Sequence, residues 1–139
     1  MLFFTRALIA IATVSIFAGC GLTKGKEIAS RSIDTFHQQF NDSKFAEIYS
    51  TATPAFKTST NEADFTKFIQ AVRRKLGAYK TGTQSGWRTN ATPSGTFVVL
   101  TYNSDFEQGS AVETFTFVSS GETAALQGYN VNSPKLITD

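Results

Sequence analysis

The sequence contains little that could form covalent cross-links, bind metal ions or bind nucleic acid. Its 139 residues include one cysteine and one histidine, and its formal net charge is +2. A single cysteine excludes a disulfide within the chain, so the folded state must be stabilised by a hydrophobic core. The small positive charge gives no basic excess of the kind that nucleic-acid binding requires, and we therefore expect no nucleic-acid partner.

Ligands and motifs for cofactor chemistry are equally scarce. One histidine and one cysteine cannot supply a zinc cluster, and the acidic residues are scattered without the spacing of a calcium loop. The chain has no glycine-rich phosphate loop and no motif of the nucleophile-elbow type. We therefore expect no metal ion, no cofactor and no nucleophilic catalysis.

A short apolar run opens the chain. Residues 7–18 are almost wholly apolar, and Arg6 is the charged side chain that precedes them. The run is too short to span a bilayer, which takes about 20 apolar residues. A positive start, a short apolar stretch and small residues such as Ala18 and Gly19 at its end are typical of a secretory signal peptide. We therefore predict that residues 1–19 are a signal peptide.

The end of this run, Phe17-Ala18-Gly19-Cys20, resembles the lipobox of bacterial lipoproteins. The resemblance implies cleavage between Gly19 and Cys20 and attachment of a diacylglycerol to the Cys20 thiol. Gly21, in place of Asp, is similar to the pattern that lets lipoproteins of bacteria with two membranes reach the outer membrane. We therefore expect a lipid-anchored protein of the bacterial cell envelope, in the outer membrane and facing the periplasm. The alternative is an ordinary signal peptide, or an uncleaved anchor, with a chance cysteine.

Two helices are predicted after the anchor. Residues 20–26 contain two glycines and no bulky apolar cluster, which predicts a lipidated tether. From Glu27 onward the apolar residues follow a helical period. Ser43 then stands where it could cap a second, short helix, and Pro54 ends that helix or starts a brief turn. Residues 50–60 are too few for more than a brief strand. The apolar positions of the two helices are Ala29, Ile33, Phe36, Phe40, Phe45, Ile48 and Tyr49.

A third helix is marked by signals at both ends. Asn61 is a favoured N-cap residue, and Glu62 and Asp64 place negative charge in the first turn. Gly77 stands where a helix commonly stops, directly after a basic last turn. One continuous apolar stripe lies between these ends and consists of Phe65, Phe68, Ile69, Val72 and Leu76.

After Gly77 the period changes to two, which predicts strands. One long strand has Tyr79, Thr81, Thr83, Ser85, Trp87 and Thr89 on a single face, and Gly82 and Gly86 on the other could permit bulges. Further strands are predicted over 96–106, 110–118 and 123–131, joined by short glycine-containing turns. Such links indicate an antiparallel meander. Residues 132–139 are predicted to be a C-terminal tail.

Helices followed by strands predict an α+β fold, with N-terminal helices packed on a curved four-stranded antiparallel sheet. This arrangement resembles the NTF2-like, or cystatin-like, cone. The segments FHQQFNDSKFAEIYSTATPAF, FTKFIQAVRRKLGAYKTG and LQGYNV are similar to small exported bacterial domains of the DUF4019 and DUF3887 type, whose function is unknown. The resemblance spans residues 27–131 and implies a fold, not an activity.

Five residues are candidates for a pocket in such a cone: Tyr79, Trp87, Tyr102, Glu113 and Tyr129. The aromatic residues could line a ligand cleft, although packing on the sheet face is their more ordinary role. NTF2-like cones include enzymes such as ketosteroid isomerase, in which a carboxylate works in an apolar pocket. Glu113 is the best candidate for that role, but we favour a charge on the solvent face. We expect His37 to be a partly exposed helix residue.

These features favour a membrane-anchored, non-enzymatic module that binds an envelope protein or a small apolar ligand. An enzyme that uses a pocket carboxylate is the first alternative. A homodimer packed sheet to sheet is the second, as NTF2-like domains often form one.

Overall fold

The computed structural model describes residues 20–138, so the predicted signal peptide, residues 1–19, lies outside the described residues. Four helices precede a four-stranded sheet, and a helical turn follows it. The helices are α1 (Cys20–Asn41), α2 (Phe45–Ser50), α3 (Pro54–Ser59), α4 (Glu62–Leu76) and α5 (Pro134–Ile137). The strands are β1 (Tyr79–Thr92), β2 (Gly95–Phe106), β3 (Gly109–Ser120) and β4 (Thr123–Asn132).

The four strands form one open antiparallel sheet in the order β1-β2-β3-β4. This meander and the preceding helices confirm the predicted α+β fold class, and they are consistent with the cone. Within residues 20–138, no helix combines the length and the hydropathy that a membrane crossing requires.

Helix α1 crosses the inner face of the sheet from end to end. Near its start, Gly25 is buried against Thr96 and Ser119, which flank the β1–β2 and β3–β4 turns. At its other end, the Asn41 side chain donates to the carbonyl of Tyr79 (3.0 Å) and accepts from the amide of Tyr79 (2.8 Å). The helix is therefore held at both ends, and its middle lies over the centre of the sheet.

The start of α1 differs from the sequence prediction. The helix begins at Cys20 and not at Glu27, so residues 20–26, the predicted tether, belong to it. The helical period of apolar residues does not extend to residues 20–26. Gly25 is buried there without an apolar side chain, and Lys24 forms an ion pair with Glu122 of the β3–β4 turn.

The connection between α1 and α4 also differs in detail. Lys44, not Ser43, is the N-cap of α2, and it makes no side-chain cap hydrogen bond. Residues 54–59, where only a brief turn or strand was expected, form α3, and Thr53 caps this helix by accepting from the amide of Phe56 (3.1 Å). The amide of Thr53 donates to the Leu126 carbonyl of edge strand β4 (2.9 Å), so α3 shields part of that edge.

Helix α4 follows its sequence signals closely. The Asn61 side chain accepts from the amide of Asp64 (2.9 Å), and Gly77 (φ 77°) ends the helix. A side chain at Gly77 would overlap Glu107, because an ideal Cβ would lie 2.8 Å from the Glu107 Cβ. One stripe residue is wrongly predicted: Phe68 is 43% exposed, at the margin of the buried stripe.

The predicted face of β1 is also wrong. The register shifts between Tyr79 and Thr81 and again between Gln84 and Gly86. Each shift changes the side of the sheet on which the following residues lie. Tyr79 and Trp87 therefore share the inner face with residues of β2, whereas Thr81 pairs with exposed Asp105. A register shift directly before Gly86 confirms the bulge proposed there, whereas Gly82 pairs in register with Ser104, so the bulge proposed at Gly82 is wrong.

The predicted tail is packed on the domain. Ser133 is buried, and its hydroxyl donates to the Ser110 carbonyl (2.7 Å). The Lys75 ammonium group, in the last turn of α4, donates to the carbonyls of Leu136 (3.2 Å) and Thr138 (3.3 Å). Helix α5 therefore lies at the end of the sheet opposite Cys20.

Candidate functional site

Glu113 lies on the inner face of β3, in the row that contains Tyr102 of β2 and Val131 of β4. It alternates along the strand with Phe115 and Phe117, which are core residues. Its side chain has an exposed fraction of 0%. The favoured expectation of a charge on the solvent face is therefore wrong, because the inward parity of this strand extends to Glu113.

Three side chains surround the carboxylate of Glu113. Oε2 lies 2.8 Å from Nε2 of His37 and accepts from the Ser104 hydroxyl at 2.6 Å. Oε1 accepts from the Tyr129 hydroxyl at 2.7 Å. The direction of the bond between Oε2 and Nε2 depends on which ring nitrogen of His37 carries the proton. Both oxygens therefore have partners, as a buried carboxylate requires.

His37 belongs to this cluster and not to the surface. It is 4% exposed, and its ring stacks on Tyr79 with centroids 3.5 Å apart and an angle of 3° between the planes. The edges of Phe36 and Phe115 close the other sides of the imidazole. The expected partly exposed histidine is therefore wrong, because α1 presents His37, one turn after Ile33, to the sheet.

The phenols near Glu113 are held in their protonated form. Burial, followed by the charge and hydrogen bond of Glu113, raises the pKa of Tyr129 well above its ordinary value of 10.0. Burial and then the charges of Glu113 and Asp34 also raise the pKa of Tyr79. Tyr129 therefore remains a hydrogen-bond donor to the carboxylate well above neutral pH.

Four of the five predicted pocket residues lie around this cluster, and Trp87 does not. Tyr102 pairs with Glu113 across the strands, Tyr79 stacks on His37, and Tyr129 donates to the Glu113 carboxylate. Trp87 lies on edge strand β1, where it is 50% exposed and 4.8 Å from the Lys26 ammonium nitrogen. The cluster is packed and closed to solvent at Glu113.

One network residue, Ser104, has no counterpart among the sequence candidates. The signal that could have found it is its position between Tyr102 and Phe106, two inward residues of β2. Serine on an inward position requires a hydrogen-bond partner, and Glu113 is the nearest residue that could provide one on the neighbouring strand.

Comparison with known families places this network inside a described domain. The model of DUF4019, a protein family of unknown function, matches residues 34–129. The match covers more than half of the chain. The chain belongs to the DUF4019 family. His37, Ser104, Glu113 and Tyr129 all lie within the matched region. A search of curated proteins finds no match.

In this DUF4019 domain, the network is suited to holding elements together. The carboxylate connects α1, β2, β3 and β4 through one residue of each. A fully satisfied buried polar network specifies a single packing arrangement, because any other arrangement leaves a polar group without a partner. Within residues 20–138, no cluster of three or more His, Cys, Asp or Glu side chains could hold a metal ion.

Several depressions open on the surface of the described residues, and two of them differ clearly in size and lining. A cleft of about 210 Å³ between α1, α2 and the sheet has the apolar floor Phe36, Ile48, Phe117 and Leu126. This volume is below the roughly 300–1,000 Å³ of typical ligand pockets. A wider groove of about 710 Å³, which we call the outer groove, lies on the opposite face. Its lining includes Asn103, Val112, Asn132 and Ile137.

Proposed function

We propose that this DUF4019 chain is a lipid-anchored protein of the bacterial cell envelope whose domain acts as a non-enzymatic binding module. The observation that carries the proposal is the position of the only cysteine. Cys20 follows the apolar run 7–18 after a single small residue, Gly19, and it is also the first residue of α1. Lipid attached there is attached directly to the helix that spans the sheet.

A lipid anchor at Cys20 is physically sufficient to hold the domain at a membrane. Each buried methylene contributes about 0.8 kcal/mol, and two acyl chains give stable anchoring where one is marginal. The signal peptide can therefore be removed without release of the protein. The resemblance of Gly21 to the outer-membrane pattern supports a position on the periplasmic side of the outer membrane.

The described surface supports binding more than catalysis. The Glu113 carboxylate is buried and fully hydrogen-bonded, so it offers no free oxygen to a substrate. The outer groove has the volume of a ligand site, and it presents the exposed apolar side chains of Val112 and Ile137 beside polar ones. An envelope protein segment or a small apolar ligand fits this mixture, and the groove lies at the end of the sheet away from Cys20.

The alternative, an enzyme that uses a pocket carboxylate, depends on Glu113 and its 2.8 Å contact with His37. A general base must lie within hydrogen-bond reach of a substrate proton. Glu113 is not exposed, so a substrate could reach its carboxylate only if the side chains packed around it moved apart. This need for opening is why we favour the binding module.

The anchor is tested by replacing Cys20. The full-length chain and its Cys20→Ser variant are expressed in a bacterium with labelled palmitate, and the mature amino terminus is analysed by mass spectrometry. We expect label and a diacylglycerol-modified residue 20 in the unaltered protein, and neither in Cys20→Ser. Gly21→Ala is the matched control, because a Cβ at Gly21 meets no atom within 4 Å. Labelling of Cys20→Ser, or a mature terminus elsewhere, would overturn the proposal.

A further inference from the structure

An exposed tryptophan lies near the start of α1. Trp87, the only tryptophan of the chain, is 50% exposed on edge strand β1. The Lys26 ammonium group of α1 lies 4.8 Å from the centroid of its ring. Arg88 follows on the same strand and is exposed. Half of a large aromatic surface is thus open to solvent, with Lys26 at the ring and Arg88 next along the strand.

Trp87 contacts the first part of α1, the helix that begins at Cys20, through Lys26. An α-helix rises about 1.5 Å per residue, so Lys26 lies roughly 9 Å from Cys20 along the axis of α1. Gly25, between them, contacts the strand ends at Thr96 and Ser119. Cys20 therefore lies at the same end of the sheet as the β1–β2 and β3–β4 turns. We call this region, with Leu22, Lys24, Lys26, Trp87 and Arg88, the anchored end.

The anchored end carries an excess of positive charge. Its cations are Lys24, Lys26 and Arg88, and Arg31 lies close enough to Glu122 to lower the pKa of that carboxyl, although less than Lys24 does. The acidic groups nearby are Glu122, which pairs with Lys24, and Glu27, which is exposed on α1. Lys26, at the Trp87 ring, and Arg88, the next residue of β1, therefore remain as cations of the anchored end outside the Lys24–Glu122 pair.

We propose that the anchored end rests on the bilayer surface, with the Trp87 ring among the lipid headgroups and Lys26 and Arg88 against anionic phosphate groups. The inference rests on the proposed lipid anchor at Cys20. Tryptophan favours the membrane–water interface because its ring is apolar and its N–H is polar. Basic side chains near an anionic surface add attraction that falls off within a Debye length.

Proximity favours a lipid surface over a protein partner at this position. A lipid on Cys20 holds the start of α1 at the depth of the headgroups, which occupy several ångströms on each side of the hydrocarbon core. Lys26, roughly 9 Å along the helix axis, reaches from this start to the Trp87 ring. The apolar Leu22 and the Trp87 ring then lose exposure to water without a second protein. The outer groove, at the opposite end, faces away from the bilayer.

Trp87 is the only tryptophan of the chain, so tryptophan fluorescence reports on its surroundings alone. The lipidated mature protein, as the bacterium produces it, is reconstituted into vesicles of phosphatidylcholine with a quarter of phosphatidylglycerol, with and without brominated acyl chains. We expect Trp87 emission to shift to shorter wavelength, to be quenched several-fold by the brominated lipid and to be protected from aqueous iodide. Emission that remains fully accessible to iodide and unaffected by bromine would overturn the placement.

Two variants test whether the quenching depends on the position of the tryptophan and on the charge beside it. Trp87→Phe combined with Ile137→Trp moves the fluorophore to exposed α5 at the far end, and we expect no bromine quenching there. Lys26→Gln with Arg88→Gln should weaken the quenching of Trp87 in anionic vesicles and leave it little changed in pure phosphatidylcholine. Equal quenching of a tryptophan at positions 87 and 137 would contradict a domain that has only one end at the bilayer surface.

Flotation of the same vesicles separates this inference from the anchor. Protein that floats with the vesicles but keeps an aqueous Trp87 spectrum contradicts the placement and leaves the anchor intact. Lipidated protein that does not float contradicts the anchor, and the placement falls with it. A spectral shift that requires added envelope protein would assign the Trp87 surface to a protein partner and overturn the bilayer contact.

Discussion

At the scale of single residues, the Glu113 carboxylate is the point at which four elements meet. It joins His37 of α1, Ser104 of β2 and Tyr129 of β4 to β3. A carboxylate without solvent exposure is costly unless each oxygen is hydrogen-bonded. The loss of one partner should therefore cost more than the loss of an exposed contact of the same length.

The His37–Glu113 pair provides a direct test of this coupling. His37→Leu and Glu113→Leu should each lower the free energy of unfolding by about 3–5 kcal/mol, because each leaves the other group buried without its partner. The double variant should lose less than the sum of the two, by about 1–3 kcal/mol. Urea unfolding followed by circular dichroism measures all three values.

An exposed carboxylate serves as the control for this cycle. Glu27 is exposed on α1, and Glu27→Gln should change the free energy of unfolding by less than about 0.5 kcal/mol. Additive losses in the double variant would show that His37 and Glu113 do not stabilise each other.

Tyr129 gives the domain an alkaline sensitivity. Its pKa is raised in the folded state, so its stabilising contribution is complete below about pH 10, the ordinary tyrosine pKa. Above that pH the unfolded chain releases the phenolic proton while the folded chain retains it, so stability falls as pH rises. Urea unfolding between pH 8 and pH 11 should show a steeper alkaline loss for the natural residue than for Tyr129→Phe. Identical pH profiles would contradict the shift.

The residues of this network show where sequence reasoning reaches its limit. The alternation through Glu113, Phe115 and Phe117 contained the information that Glu113 points inward. The partner did not follow from any local pattern, because His37 and Glu113 are 76 residues apart. In the sequence alone, a buried glutamate cannot be distinguished from an exposed one until the position of the helix that packs against it, here α1, is known.

At the scale of elements, local signals predicted α4 well and the ends of α1 and β1 poorly. The Asn61 cap and the Gly77 stop of α4 act through neighbouring residues, so the sequence carries them in full. The first turn of α1 depends on contacts with the distant turns of the sheet, at Thr96 and Ser119. The face of β1 depends on register shifts that pairing with β2 decides.

The packed first turn of α1 predicts a clear effect at Gly25. A Cβ there would lie 3.5 Å from Ser119 Oγ, an ordinary contact. Gly25→Ala should therefore raise the free energy of unfolding by about 0.5–1 kcal/mol, because alanine has the better helix propensity. Gly25→Leu should lower it, since the longer side chain collides with the sheet. Urea unfolding of a protein that begins at residue 20 and carries Cys20→Ser measures both.

Gly21→Ala is the control for position 25, because it changes a glycine in the open first turn. Its effect should be smaller than that of Gly25→Ala. A neutral Gly25→Leu variant would show that residues 20–26 do not pack on the sheet and form a free tether.

At the scale of the whole molecule, the exposed apolar side chains of the described residues are dispersed. They are Leu22, Phe68, Trp87, Val112 and Ile137. Leu22 and Trp87 belong to the anchored end, Val112 and Ile137 to the outer groove, and Phe68 to α4. A stable dimer interface buries about 1,200–2,000 Å² around an apolar centre, which this dispersal does not provide.

We therefore expect the protein that begins at residue 20, with Cys20→Ser, to be a monomer in solution. Sedimentation velocity at high micromolar concentration measures this. Val112→Lys is the matched variant, because it would break a sheet-to-sheet contact through the outer face and should leave a monomer unchanged. A dimer that Val112→Lys dissociates would support the homodimer in place of the monomeric module.

The continuity of α1 from Cys20 to Asn41 has a mechanical consequence. In a lipoprotein with a flexible linker between the lipid and the folded domain, tension on the lipid first extends the linker. Here a force on residue 20 would be transmitted along the continuous helix α1 to the contacts that Gly25, His37 and Asn41 make with the sheet. With the proposed lipid on Cys20, the domain would tilt together with the membrane surface, and a force strong enough to pull α1 from the sheet would unfold the domain.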